Sequence, residues 1–536
     1  MAPGDWFEDV TEQTGISFTY GNGEDAGRRY ILESLGGGVA LFDYDNDGDL
    51  DVFCTGGGHI SPSDPVVIRG RPPALYRNDG SWNFVDVTQE AGLLRALDYS
   101  HGCGVADFDR DGWLDLFVCC YGRSRLFRNT RDGGFVDISQ PAEINFTGWS
   151  TSVAWPDVDG DGWPDLYVTR YADWGPDRDQ PCWNSRGQRD VCSPTVYRGE
   201  PDKLFRNRGD GRFEEITREA GLSGAGKGLG VAAADLDGDG YVDLYVARDE
   251  VEKDLYRGGP ALPLMEIARN AGVAASEFGV PEGSMGVDVG DFDGDGRPDI
   301  WVTNFENEDN ALYRNLGDGG FVYATVSAGL AGQSRRYVGF GTALADFDGD
   351  GWLDIFVVNG HVFVHGNQSP YRQPAQLFRN VAGSEGGRRF DNVSDRGGSY
   401  FRSPHVGRGV AVGDLDDDGA LDVVISHQNE RLTVLRNCQP PPHFLRVLLR
   451  GIRCHPQAVG ARVSIDRGER ALVRFVTSGA GYFSHFDQRI LFPIPTDAAL
   501  DVTVHWPGGG REVFPALGVD QTHELVEGNG INRGSH

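Results

Sequence analysis

Asp43-Tyr44-Asp45-Asn46-Asp47-Gly48-Asp49-Leu50-Asp51 decides the fold of this chain. Aspartates stand at loop positions 1, 3, 5 and 9, a glycine at 6 and a further aspartate, Asp49, at 7. This spacing suits a loop wrapped around a hard cation. The glycine permits the tight bend, the side chains turn inward, and the last carboxylate closes the shell. Carboxylates held this close repel one another strongly unless a cation lies between them.

The pattern D-x-D-x-D-G-x-x-D recurs six more times. The further ligand sets are Asp107, Asp109, Asp111 and Asp115; Asp157, Asp159, Asp161 and Asp165; Asp235, Asp237, Asp239 and Asp243; Asp291, Asp293, Asp295 and Asp299; Asp346, Asp348, Asp350 and Asp354; and Asp414, Asp416, Asp418 and Asp422. The unit is about fifty residues with insertions, in the range of propeller repeats. A Gly/Ala/Val run precedes each loop, as in Gly230-Val231-Ala232-Ala233-Ala234, and suits a strand at a crowded axis. An apolar strand follows, as in Ile355-Phe356-Val357-Val358. A third strand ends in a recurring tetrad such as Leu75-Tyr76-Arg77-Asn78, with Gly258 replacing the asparagine once. A turn and a fourth strand complete the unit, which reads as a blade. The seventh fourth strand is missing after Asn437, but Phe7-Glu8-Asp9-Val10-Thr11 matches it. The sequence therefore predicts an all-β chain: a seven-bladed β-propeller over 1–438, closed by its N-terminal strand. Gln439-Pro440-Pro441-Pro442 reads as a stiff linker. A small β domain over 443–528 follows, and 529–536 is a tail ending in a tag-like Arg533-Gly534-Ser535-His536.

The Gly-rich strand with its D-x-D-x-D-G-x-x-D loop resembles the FG-GAP (VCBS-type) repeats of integrin α-subunit propellers. The run Ala458-Val459-Gly460-Ala461-Arg462-Val463, Ser478-Gly479-Ala480-Gly481-Tyr482 and Val504-His505-Trp506-Pro507-Gly508-Gly509 resembles the ASPIC/UnbV domain of cartilage acidic protein-like proteins. Phe483-Ser484-His485 departs from the Ser-Gln that relatives often carry there. The resemblance implies a Ca²⁺-binding propeller, usually exported and acting as a binding or adhesion module. Some relatives belong to bacterial natural-product gene clusters, which leaves room for a catalytic role.

Oxygen-only ligation with water access favours Ca²⁺ at about seven sites. If the loops turn at the bottom of the blades, the top of the axis is the place for a small-molecule, peptide or glycan ligand. Candidate binding residues there are Trp149, Arg170, Tyr171, Lys227, Arg248 and Arg408. Four histidines, His101, His361, His405 and His427, with Glu33 and Glu306, form a candidate acid–base set. Two functions follow: a calcium-stabilised binding protein, or an enzyme of secondary metabolism acting through those residues. No serine-hydrolase elbow, Walker loop or dinucleotide fingerprint stands in a fitting strand–helix context.

The formal charge of −31 repels nucleic acid and anionic membranes. No apolar run is long enough for a membrane span. Calcium loops and eight cysteines favour a secreted or periplasmic protein with its signal peptide removed, against a cytoplasmic alternative. Cys182 with Cys192, and Cys438 with Cys454, are candidate disulfides, and Cys119-Cys120 are predicted to face opposite sides of a strand. A monomer or weak oligomer is expected.

Overall fold

The computed structural model describes residues 4–95, 97–222, 224, 226–365, 369–384, 386–468 and 470–532; the tag-like Arg533–His536 stretch lies outside them. Among the described residues, seven four-stranded antiparallel units follow one another. Blade 1 is built from Val39–Phe42, Asp51–Cys54, Ala74–Asn78 and Phe84–Asp86. The first strands of blades 2 to 7 are Tyr99–Ala106, Thr147–Ala154, Gly228–Ala234, Val287–Gly290, Gly339–Ala345 and Gly407–Gly413. These seven strands touch one another in cyclic order, blade 7 returning to blade 1, so they line the axis of a propeller. Blades 2 and 3 are joined as one eight-stranded sheet, because Trp149 pairs with Tyr121.

The small residues before each loop have a steric reason. A Cβ on Gly102 would lie 2.1 Å from the Thr151 carbonyl of the next blade, and one on Gly409 would lie 2.1 Å from the Gly37 carbonyl across the closure. Blade 3 uses Ser152 instead, whose hydroxyl donates to the Leu229 carbonyl of blade 4 at 2.6 Å. The expected closure is present. Phe7–Asp9 pairs antiparallel with Thr433–Asn437, Phe7 opposite Asn437 and Asp9 opposite Leu435. Blade 7 is thus made from both ends of the propeller sequence, with Thr433–Asn437 paired on both sides.

The tetrad asparagine is a second bond around the ring. In blade 2, the Asn129 backbone N–H donates to Asp115 at 2.8 Å, while its side-chain amide donates to the Tyr44 carbonyl inside the loop of blade 1 at 2.7 Å. Asn207, Asn315, Asn380 and Asn437 reach back in the same way to Phe108, Leu236, Phe292 and Phe347. Asn78 reaches Leu415 of blade 7 at 3.0 Å, across the closure. Blade 4 keeps the backbone half alone, through the Gly258 N–H to Asp243 at 2.7 Å.

The C-terminal strands form two sheets. Ile490–Ile494, His443–Arg450 and Gln521–Val526 make one; Ala471–Phe475, Arg462–Asp466, Leu500–His505, Arg511–Leu517 and Ile531–Asn532 make the other. Leu445, Val463, Phe492, Val504 and Trp506 fill the space between them. This unit is not detached from the propeller, because Ser478–Gly479 adds a fifth strand to blade 4 along Ala232–Ala233.

The asparagine link predicts that Asn380→Ala destabilises the chain by about 3 kcal/mol, since it leaves the buried Phe292 and Leu353 carbonyls without their donor. Asn392→Ala, on the exposed fourth strand of the same blade, should change stability by roughly 0.5 kcal/mol or less. Urea unfolding of both variants measures the difference, and equal effects would remove the link's energetic role.

Candidate metal centres and the propeller axis

Each cation loop is shaped by backbone N–H groups that turn its carboxylates inward. In the first, Asp43 accepts from the N–H groups of Asp47 at 3.1 Å and Gly48 at 2.9 Å. Asp51, fully buried, accepts from Tyr44 at 3.0 Å and Asn78 at 2.8 Å. Carboxylate oxygens of Asp43, Asp45 and Asp51 lie within 4.8 Å of one another. The same holds for Asp107, Asp109 and Asp115; for Asp157, Asp159 and Asp165; for Asp235, Asp237 and Asp239; for Asp291, Asp293 and Asp295; and for two further groups. All the donors are carboxylate oxygens, so the residues fit a hard divalent cation. Burial, with the neighbouring carboxylates adding to it, pushes Asp43 up to about 6 and Asp51 up to about 9. Burial likewise raises Asp346 to about 7 and holds Asp115, Asp165, Asp243, Asp299, Asp354 and Asp422 far above the usual carboxylate range. Tetrad arginines lie over the outer carboxylates, as with Arg379 to Asp348 at 2.6 Å and Arg206 to Asp159 at 3.0 Å.

The C-terminal domain sits on this loop face. Arg446 pairs with Asp414 and Asp417, and Arg474 lies 3.6 Å from Asp346. Arg489 donates to the Gly48 carbonyl at 3.0 Å, and the Gly508 N–H donates to Gly240 at 2.9 Å. From this seat one segment, 478–487, enters the axis. The Ser478 hydroxyl accepts from Trp155 N–H of blade 3 at 2.8 Å. Ala480 bonds to Val231 of blade 4, and Gly481 exchanges two hydrogen bonds with Val287 of blade 5. The Tyr482 ring meets Phe340 of blade 6 edge-on at 5.0 Å. Phe483 accepts from Cys103 of blade 2, His485 pairs with Val39 and Leu41 of blade 1, and Asp487 bonds to Val412 of blade 7. Every blade holds this pin.

The pin corrects the expectation of an open funnel. Above it, Tyr20, Leu32, Tyr99, Trp149, Tyr171, Trp174 and Phe340 join Tyr482 and Phe483 in one buried cluster. His101 is fully buried among Tyr99, Trp149 and Phe483, its ring nitrogens have no hydrogen-bond partner, and burial drops it to about 3. Glu33 is buried, with one oxygen accepting from the Tyr30 N–H and the other unpartnered; burial pushes it up to about 7. Arg248 is fully buried between Asp202, at 2.7 Å, and Asp254. Arg170 pairs with Glu200 at 2.8 Å, and the Tyr171 hydroxyl donates to Asp249 at 2.5 Å. Lys227 is buried beside Asp249 and Glu250, and burial lowers it. Arg408 lies over Phe340 and gives its donors to the Ser34, Gly360, Gly407 and His361 carbonyls.

His405 and His427 come together, with ring centroids 5.2 Å apart, but His101 and His361 pack against other rings. His361 is buried against Phe305 and Phe363, with Glu306 3.2 Å away. His427 spends both nitrogens on the Tyr400 hydroxyl and the Arg431 carbonyl, each at 2.9 Å. His405 stacks on Tyr400 and bonds to Glu430 at 3.0 Å. Only Glu306 and His405 of the twelve channel candidates keep partial exposure. Sequence reasoning missed Asp202, Asp254 and Glu430, the first two standing beside third-strand tetrads but outside their recurring residues, and the pin itself, whose visible signal was the unusual Phe483-Ser484-His485.

The top is covered as well. The Cys182–Cys192 disulfide is present and closes a short hairpin. From blade 3 this insertion crosses to blade 6, where Asp190 accepts from the Val364 and His365 N–H groups at 3.2 and 2.8 Å. Arg189 lies over Tyr30, and Ser193 is 3.4 Å from Glu250 of blade 4. The second candidate pair is corrected: Cys438 and Cys454 are free thiols, facing the Arg436 and His455 carbonyls. Cys119 and Cys120 do face opposite sides, in different core clusters.

Residues 43–118, 107–168, 183–246 and 291–357 match the FG-GAP-like repeat, and residues 451–532 match ASPIC and UnbV. The chain is 29% identical to cartilage acidic protein 1 of Homo sapiens over 384 residues, which is 58% of this chain and 55% of the relative. With the Xenopus tropicalis protein of that name it shares 26% over 495 residues, 76% of this chain and 70% of the relative. The matched region therefore spans little more than half the length of the human relative. A solved Agrocybe aegerita lectin that recognises non-reducing terminal N-acetylglucosamine overlays with a TM-score of 0.39 at 16% identity, over 74% of this chain and 87% of the lectin. No helix among the described residues is long and apolar enough to cross a membrane. The repeats and the C-terminal unit place this chain among the FG-GAP-like repeat proteins that carry an ASPIC and UnbV domain.

Proposed function

We propose that the chain is a calcium-stabilised binding protein of exported type. Ca²⁺ fills the seven loops and makes the ring and its C-terminal seat one rigid body, and a glycan or peptide ligand binds the covered top face. The observation that carries this reading is the disulfide-closed insertion. It is tied to blades 4 and 6, yet leaves Trp183 63% exposed. Phe278, in the loop before blade 5, is 78% exposed, and this loop adjoins the same sector through the Glu250 N–H to Glu282 carbonyl bond. A rigid support carrying solvent-facing aromatic rings suits stacking on a sugar or on a peptide side chain. The disulfide and the calcium loops both fit an oxidising, calcium-rich compartment. The acid–base reading gains no support, because His101, His361 and His427 are buried and share no ligand position.

The metal reading has a pH signature. The first and last carboxylates of the loops, such as Asp43, Asp51 and Asp346, have folded-state values raised above those of the unfolded chain, near 3.9. In chelator, their contribution to stability is therefore full below about pH 4 and is lost as pH rises through their folded values. The melting temperature in EGTA should fall steadily between about pH 5 and pH 8, and millimolar Ca²⁺ should raise it at pH 7.5 by roughly ten degrees or more. Scanning calorimetry measures both, and a melting temperature indifferent to chelator would end the calcium assignment.

Glycan and peptide arrays test the ligand face. The calcium-loaded chain should bind a subset of spots, and the double variant Trp183→Ala, Phe278→Ala should lose at least about tenfold in affinity at an unchanged melting temperature. Retained binding in that variant would move the site elsewhere; arrays without a binder would argue against a recognition role.

A further inference from the structure

A cavity of about 400 Å³ lies between the loops of blades 1 and 2 and the C-terminal domain. A second, of about 170 Å³, lies towards blades 5 to 7. Both are lined by His485, Asp487, Gln488 and Arg489, the segment where the axial pin leaves the propeller. The larger cavity has two kinds of wall. Leu50, Leu114, Leu448 and Ile452 are apolar; Asp43, Asp107, Arg110 and Glu524 are polar. Exposed Asn46 and Arg450 mark its rim, so it communicates with solvent.

His485 is the informative residue. It is 3% exposed, and its Nε2 has no hydrogen-bond partner although it lines both cavities. A buried ring nitrogen left unpaired costs free energy unless something outside the protein bonds to it. Burial lowers His485 to about 4, so the ring is neutral near pH 7 and its Nε2 donates or accepts according to its tautomer. The charged groups on the cavity wall are of both signs and largely committed: Arg110 donates to Gly162 and Ile452, and Arg489 to Asp487, Gly48 and Asp414. That leaves little to hold a strongly charged ligand.

We propose that this interdomain cavity binds a neutral, hydroxyl-rich small molecule of about disaccharide size. The apolar wall meets the C–H face of a sugar ring, and His485 and Gln488 meet its hydroxyls. The site is distinct from the Cys182–Cys192 insertion that covers the top of the axis. It exists only where the C-terminal domain is seated on folded cation loops, so binding requires the calcium-loaded state.

Maltose, cellobiose and lactose, titrated separately into the full chain in millimolar Ca²⁺ by isothermal calorimetry, test the proposal. At least one should bind one-to-one with a Kd of about 1 mM or tighter and raise the melting temperature. Leu448→Trp, which fills the half-buried wall, should weaken that sugar at least about tenfold, and His485→Leu at least about fivefold. Leu448 is not part of the axial pin, so this variant stays informative if His485→Leu unfolds. Trp183→Ala on that insertion should leave this binding unchanged, which separates it from the top-face reading. The proposal is overturned if none of the three sugars saturates, or if a sugar binds equally well to Leu448→Trp.

Discussion

A buried aspartate closes each cation loop, and the bond it accepts from the third strand is what the ring rests on. Asp115 takes the Asn129 backbone N–H, and the same asparagine extends its side chain into the loop of the blade before. One residue thus registers three things: the end of its own loop, the end of its own third strand, and the position of its neighbour. Aspartates that burial alone would neutralise accept backbone N–H groups that offset part of that cost, and their grouping fits a cation. The blades are therefore not seven independent sheets that happen to pack. Their loops are cross-linked in a circle, with blade 4, at Gly258, the one place where the side-chain half is missing among the described residues.

The ring of seven blades and its closure were legible in the sequence because they repeat. The aspartate spacing, the tetrad and the orphan strand at Phe7 each had six or seven copies to compare, and strand count alone demanded the closure. The axis was not legible. Position before or after an inner strand says only that a side chain such as His101, Trp149 or Arg408 lies near the centre. It does not say that Tyr482 and Phe483, from a Gly-rich run that reads like any turn, occupy the space those side chains would otherwise face. A long-range insertion leaves no local periodicity. Its only trace was an unusual Phe483-Ser484-His485.

Filling the axis changes what the charged residues there do. Arg248 between two aspartates, and Lys253 with Glu282 at 2.7 Å, are buried ion pairs that fix the blade 3 to blade 5 sector. Such pairs contribute geometry more surely than net stability, and losing one partner is costly because the other charge is left buried. Arg408 goes further, since its donors all end on carbonyls and its face lies on Phe340. These groups resemble an active site in composition and act as internal bracing.

The pairing of Phe7 with Asn437 has a consequence for how the molecule comes to be. On the ribosome the first strand emerges with no partner, and none exists until nearly the whole propeller has been made. The pin is translated later still, after the last blade, yet in the finished protein it lies inside the ring that every earlier blade surrounds. Six blades can form in order behind the ribosome, while the seventh waits for Thr433–Asn437 to reach Phe7–Asp9. A segment from beyond the last blade thus stands at the centre of the ring that the first strand closes.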